Sequence, residues 1–314
     1  MSLENQKEVS ANTKHVDDVA VDSVERNPMR SRAQDWKLGR DFYDYVREGY
    51  DGLAPTYDEE IGSNPIGRRM REVFRNSLRE AVRPGSLVFE IGCGTGLDAL
   101  WLARQGIEVV ATDISQEMVA RVVEKAKAEG LADRVRGRRL AAREIGRLHE
   151  EFGSQVFGGG YCHAGAINME PELGVLPRQI RSLLKPGAPF VASVVNRISL
   201  FEVLFYPAVL RPRKAFRRLN GPIPIPISRR EPFNRFVIPA RFYTPRELIR
   251  AFGDGFTVEG LQGMQIFLPP SNLADEYNAV KPVFALLEFL ERRLSKRRPL
   301  NSWGHHFIVT FRRR

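Results

Sequence analysis

One run constrains the fold more than any other. It is Leu87-Val-Phe-Glu-Ile-Gly-Cys-Gly-Thr-Gly96, followed at 107–115 by Ile-Glu-Val-Val-Ala-Thr-Asp-Ile-Ser. An apolar strand reaches an acid, three glycines alternate, and a helix begins. A second strand then ends in Asp113, 17 positions after Gly96. Glycines let the backbone approach a ligand, and an acid at the end of the next strand can accept from two ribose hydroxyls. The pattern fits an adenosine but departs from a dinucleotide site. The third glycine of G-x-G-x-x-G would fall on Leu97, and Gly96 closes a G-x-G-x-G instead. Glu90 stands two residues before Gly92, where a dinucleotide site has an apolar residue. A carboxylate there can reach the ammonium of an amino-acid-bearing ligand. No G-x-x-x-x-G-K-[ST] marks a triphosphate site.

Strands and helices alternate through the middle of the chain. Strands are expected at 86–91, 107–112, 134–140, 155–162 and 189–195, with helices at 96–105, 115–129 and 172–184. Ser115 is placed to cap the second of these helices and Gly130 to close it. Such repetition implies a parallel sheet with ligands at the carboxyl ends of its strands. Before it, helices are expected from Asp41 and over 65–82, the latter with Met70, Val73, Phe74 and Leu78 on one face. After it come a helix at 245–252, with Thr244 as N-cap and Pro245 at N1, a strand at 256–268, a helix at 272–295 and a last strand at 305–312. The division expected is a disordered tail over 1–38, an N-terminal helical lid over 39–84, a core over 85–196, a basic aromatic cap over 197–243, and the rest of the sheet over 244–314.

Together these residues resemble motif I of class I S-adenosylmethionine (SAM)-dependent methyltransferases, on the methyltransferase type 11 or ubiquinone–menaquinone methyltransferase-like side. The stretch Tyr50-Asp-Gly-Leu-Ala-Pro-Thr-Tyr-Asp58 is similar to the Y-D-x-x-A-x-x-Y-D helix-loop of many small-molecule members. The resemblance implies an α/β fold: a Rossmann-like, seven-stranded doubly wound sheet, last strand antiparallel, with SAM as cofactor. It implies that Glu90, Gly92, Cys93, Gly94, Thr95, Gly96 and Asp113 bind the cofactor. Tyr57 would close over its carboxylate, which Arg68 or Arg69 could neutralise. Ile114 and Met118 would pack on adenine, with a core role open for Met118. The acid that many members carry after strand three is missing, so backbone near Ala142 takes that part.

The segment Phe157-Gly-Gly-Gly-Tyr-Cys-His-Ala-Gly-Ala-Ile-Asn168 is similar to F-D-x-x-x-S-N-x-G-A-L-N of a bacterial and archaeal subgroup. Gly158 replaces the usual acid and His163 the usual asparagine. His163 is the candidate general base or substrate orienter, since its ordinary pKa lies near neutral. No His/Cys/carboxylate cluster has metal spacing.

Charge narrows the partner. Net charge is +10, and Arg197–Arg250 holds twelve Lys+Arg against three Asp+Glu. Phe201, Phe205, Tyr206, Phe216, Phe233, Phe236 and Phe242 interleave with these cations. Three uses stay open for this cap: covering a hydrophobic acceptor of quinone or polyprenyl type while touching an anionic membrane, gripping nucleic acid, or forming a lid with a solvated basic face. Nucleic acid is disfavoured, because strand four lacks [DN]-P-P-[YF]. Cys93 and Cys162 cannot make a disulfide framework, and no run reaches the roughly 18 apolar residues of a span. The expectation is a cytoplasmic protein with peripheral membrane contact, methylating oxygen or carbon. A non-catalytic binder of SAM or its demethylated product is the alternative.

Overall fold

The computed structural model describes residues 40–314 except 209, 220, 229–232, 234–235 and 271–280. The tail expected over 1–38 and the start of the helix expected over 272–295 lie outside the described residues. The chain divides into an N-terminal unit ending at Phe42 and a large unit, Tyr43–Arg314, which holds the sheet and every candidate site residue.

Three helices come first: α1 Arg40–Leu53, α2 Tyr57–Ser63 and α3 Pro65–Ala81. Asn64 starts α3 by accepting from the N–H groups of Ile66 and Gly67, each at 3.0 Å, with Pro65 at the first helical position. Strands and helices then alternate as β1 Leu87–Ile91, α4 Leu97–Ala103, β2 Glu108–Asp113, α5 Gln116–Ala128, β3 Val135–Arg139, α6 Leu148–Phe152, β4 Gly159–Cys162, α7 Ala166–Met169, α8 Leu176–Leu183 and β5 Pro189–Val195. Ser115 caps α5 through the Met118 N–H at 3.0 Å.

After β5 the chain leaves the sheet through two short helices, α9 Leu200–Ala208 and α10 Pro212–Ala215, and a hairpin, β6 Ile223–Pro226 with β7 Val237–Ala240. It returns through α11 Pro245–Phe252, β8 Phe256–Met264, α12 Lys281–Leu294 and β9 His306–Arg313. Thr244 caps α11, and Glu247 completes a reciprocal capping box.

The main sheet has the order β3-β2-β1-β4-β5-β9-β8. Only β9 runs against its neighbours, β5 and β8. This is the Rossmann-like seven-stranded arrangement that the resemblance implied. Strand order reverses between β1 and β4, and the crevice outside their carboxyl ends is where such sheets bind ligands. Alternate residues point to opposite faces, so one strand feeds two cores. Val88 packs with Phe74, Leu78 and Tyr161, while Phe89 packs with Phe157, Phe190 and Phe307. Glu90 follows Val88 by two and so falls on the α3 side.

Two strands are shorter than expected, for local reasons. Gln155 adopts φ 59°, and Phe157 makes an isolated bridge to Leu184, so β4 begins only at Gly159. Gln265 adopts φ 56° and ends β8 at Met264. Gly158 therefore lies at the start of β4, donating to Leu87 O at 2.8 Å. That is the end of the sheet remote from the crevice, so its missing acid does not bear on the site.

Candidate active site

β1 delivers the chain into Gly92-Cys93-Gly94-Thr95-Gly96 at the crevice. Gly92 has φ 71° and Gly94 φ 52°, a region that side chains rarely adopt. Space forbids a side chain as well. A Cβ on Gly92 would stand 2.6 Å from Ala166 Cβ, and one on Gly94 3.0 Å from the Tyr57 ring. Asp113, at the end of β2, fixes this turn: its Oδ2 accepts from Gly94 N at 2.9 Å and its Oδ1 from Ser115 N at 3.0 Å. Burial pushes its carboxyl up to about 6, against the N–H groups of Ser115, Gly94 and Ile114.

The repeated Tyr-Asp pairs of residues 50–58 tie the N-terminal helices to this turn. Asp51 accepts from Ser115 Oγ at 2.6 Å and from Glu117 N at 3.2 Å. Asp58 takes the Thr95 hydroxyl and the Lys125 ammonium, and Lys125 also reaches Thr95 O at 3.1 Å. Tyr50 donates to Met169 Sδ at 3.3 Å, and Tyr57 lies half-buried over Gly94. Seven residues of separation thus place one Tyr-Asp pair beside β2 and the other beside β1.

A cleft of about 280 Å³ opens beside the turn. Tyr57, Glu90, Gly92, Cys93, Thr95 and His163, all expected in the site, line it. Gly94 lies beneath Tyr57. Gly96 instead faces Val122, 2.8 Å from where its Cβ would be. Asp113 stands behind the turn. Met118 is fully buried, Ile114 is half-buried, and Ala142 packs on the core of the other sheet face; none of the three lines the cleft. Cys162 lies in that same core, where burial pushes its thiol up to about 12. Arg68 and Arg69 do not reach the cleft: the first donates to Gly62 O and the second pairs with Glu288.

The arginines that do matter are Arg71 and Arg75. Both grip Asp98, a carboxylate 2% exposed in the first turn of α4: Arg71 through Nη1, and Arg75 through Nε at 2.7 Å. His163 Nδ1 approaches the same carboxylate at 2.8 Å, and its ring stacks on Phe74 with centroids 4.1 Å apart. Burial opposes the charge on Asp98, but His163, Arg71 and Arg75 outweigh it and hold the carboxyl well below the usual range. Burial, aided by the two guanidiniums, lowers the His163 pKa despite Asp98. A neutral imidazole donating through Nδ1 keeps Nε2 as an acceptor. Asp98 is recognisable in the sequence as an acid opening the helix after the glycines. Arg71 and Arg75 carry a signal too, since they flank Phe74 on the buried side of α3.

Glu90, 2% exposed, receives the Tyr161 hydroxyl on Oε2 at 3.1 Å. Its Oε1 has no protein donor among the described residues. Burial and the nearby Asp98 charge push its carboxyl well up. A cation in the cleft would reverse that.

Residues 88–187 match the family described as a methyltransferase domain. A curated methyltransferase, GfsG of Streptomyces halstedii, is 30% identical over 167 residues, 52% of this chain and 55% of that protein. The chain thus spans about half the length of that relative. Three solved structures share the fold. The [4+2]-cyclase SpnF has TM-score 0.56 at 18% identity, covering 85% of this chain and 94% of its own. Geranyl diphosphate C-methyltransferase of Streptomyces coelicolor A3(2) has 0.52 at 16%, covering 82% and 84%. The 1,6-didemethyltoxoflavin-N1-methyltransferase of Burkholderia thailandensis has 0.51 at 18%, covering 87% and 89%. A cyclase and two methyltransferases on one fold mean that chemistry must be argued from the site. Over residues 88–187 the chain thus matches a methyltransferase domain, on the fold that these three structures share.

Proposed function

We propose that the protein transfers a methyl group from SAM to oxygen or carbon of a small-molecule or lipid-like acceptor. One observation carries this reading: a single cleft is walled by Glu90 and the glycine turn and also by His163. The residues fit the cofactor. Glu90 is a buried acid short of a donor, suited to an ammonium. Asp113, behind the turn, accepts one backbone N–H on each oxygen and keeps lone pairs that ribose hydroxyls could reach. Arg71 is the cation at the cleft for a carboxylate. Bound there, SAM would supply a methyl group already activated as a sulfonium, open to in-line displacement.

The chain's own tasks are alignment, exclusion of water and removal of a proton. Alignment and desolvation can supply about 7–11 kcal/mol of a barrier. Tyr57 closes over the turn. The β6–β7 hairpin packs on α1 and α2, with Tyr45 and Phe236 rings 5.4 Å apart and Ser228 donating to Glu60 at 2.8 Å. This covering supports a small acceptor held inside, not a long polymer. His163 Nε2 would take the proton of a hydroxyl or an acidic carbon as the new bond forms. The test combines calorimetry with transfer of labelled methyl from SAM into lipid and metabolite extracts. A labelled product is expected. Binding without product would favour the non-catalytic reading, and no binding would overturn both.

Asp113 gives a second, quantitative check. Ribose hydroxyls donate to its ionised form, so Asp113 should cost no affinity for SAM well above about pH 6. Below about pH 6 its protonation should add a fall of up to roughly tenfold per unit, and Asp113→Asn should remove that share while leaving the share of Glu90. The raised native value means that protonation favours the folded state at this residue, so unfolding at Asp113 does not explain the loss. Calorimetry from about pH 8 to pH 5 would read the slope. A profile without a step would disprove the assignment of Asp113.

A further inference from the structure

We infer that the turn between α9 and α10 is a docking surface for an anionic lipid bilayer. Leu204 is 65% exposed, Leu210 90%, Phe216 52% and Leu219 51%. Leu210 adopts φ 59°, a conformation rare for a leucine. Its turn is fixed on both sides: Leu210 N donates to Pro207 O at 3.0 Å, and Arg211 N to Tyr206 O at 2.8 Å. The fold thus holds the most exposed leucine among the described residues outward on a braced tip, where its 90% exposure leaves little packing to offset the strain.

The charge around this tip says what covers it. Arg213 is exposed and Lys214 half-exposed, while Arg217, also exposed, reaches Glu202 Oε1 at 3.8 Å. The one acid between residues 200 and 219 is Glu202, which points inward, 1% exposed, and is paired with Arg218 at 2.6 Å. Arg218, counted by sequence among the basic run, is therefore spent inside the protein: it also donates to Asn196 O at 2.7 Å and lies over the Phe242 ring. Among the described residues of 200–219, what remains outside is apolar and cationic with no exposed acid. Leucine and phenylalanine ringed by arginine suit the boundary between lipid headgroups and acyl chains. A protein partner of ordinary composition would leave those cations unmatched, and nucleic acid would gain nothing from the leucines.

The surface also stands at a useful place. It follows directly from the carboxyl end of β5, the same end of the sheet at which β1 enters the glycine turn and β4 reaches His163. An acceptor dissolved in the bilayer would then meet the protein on the side that bears the cleft. Only this route rests on the methyltransferase reading; the docking surface does not.

The experiment is co-sedimentation of the full chain with vesicles at low salt. Vesicles of phosphatidylcholine mixed equally with phosphatidylglycerol should retain the protein, and phosphatidylcholine alone should retain it weakly. Added salt should release it. Leu210→Asp combined with Phe216→Asp should weaken retention more than about tenfold. Arg213→Glu combined with Lys214→Glu should weaken it at least about tenfold. Both variants should keep the circular-dichroism spectrum and urea midpoint of the unaltered protein, which shows that they fold and separates this test from that of methyl transfer. Absence of retention on anionic vesicles overturns the proposal, and so does retention that neither variant alters. Tighter binding to a single-stranded oligonucleotide than to vesicles, or a dimer that Leu210→Asp dissociates, overturns it as well.

Discussion

Asp98→Ala is expected to lower stability by about 3–5 kcal/mol, the range found when one member of a buried ion pair is removed. Asp98 is 2% exposed and takes two guanidiniums and an imidazole at once. Removing it leaves Arg71 and Arg75, whose side chains are 16% and 24% exposed, facing one another and His163 without a counter-charge. Their remaining contact with solvent argues for the lower half of the range. The pH dependence has a definite sign. The native pKa of Asp98 is depressed, so its contribution is complete above the ordinary carboxylate value near 4 and is lost as pH falls through the native value. Urea denaturation should therefore show the full difference between protein and variant at neutral pH, and the difference should shrink only in strong acid. Equal midpoints at neutral pH would show that the guanidiniums are satisfied by solvent and that Asp98 carries no such role. Asp98→Asn keeps the shape and isolates the charge, so most of the loss should persist in it.

How far the sequence reveals this site depends on the residue. Local patterns were readable where local chemistry decides them. The glycine turn needs its φ values, Ser115 and Thr244 cap the helices they precede, and Asp113 ends an apolar strand. Each is settled within a few residues. The arginines were not settled that way. Arg68, Arg69, Arg71 and Arg75 lie on one helix, and which of them faces inward depends on how α3 is rotated. Phe74 and Leu78, both fully buried, set that rotation. Arg71, Phe74, Arg75 and Leu78 form an i, i+3, i+4, i+7 set, so the inward pair was legible once the buried face was weighted by its largest residue. Arg218 was illegible for a different reason. Its partner Glu202 lies 16 residues away on another short helix, and only the folded insertion brings them together.

His163→Asn should lower the rate of methyl transfer to a hydroxyl or acidic carbon by about 10²–10⁴, the usual span for a positioned base. The geometry supports the upper part of this span. Nδ1 is engaged by Asp98 at 2.8 Å, the ring is clamped against Phe74, and the residue lines the cleft. Both the tautomer and the direction of Nε2 are therefore fixed before an acceptor arrives. Affinity for SAM should change less than about threefold, because Glu90, Asp113 and the glycine turn are untouched. The rate should also carry a pH signature. A lowered native pKa places the acid limb of the profile below the ordinary histidine value near 6.5, with a plateau through neutral pH. Asp98→Asn should move that limb lower still, since it removes the one charge that opposes burial. Full activity in His163→Asn would reassign the acceptor to one whose nucleophile has no proton to lose, such as a thioether sulfur. The cofactor half of the site would stand, and Asp98 with its arginines would become a brace between α3 and α4.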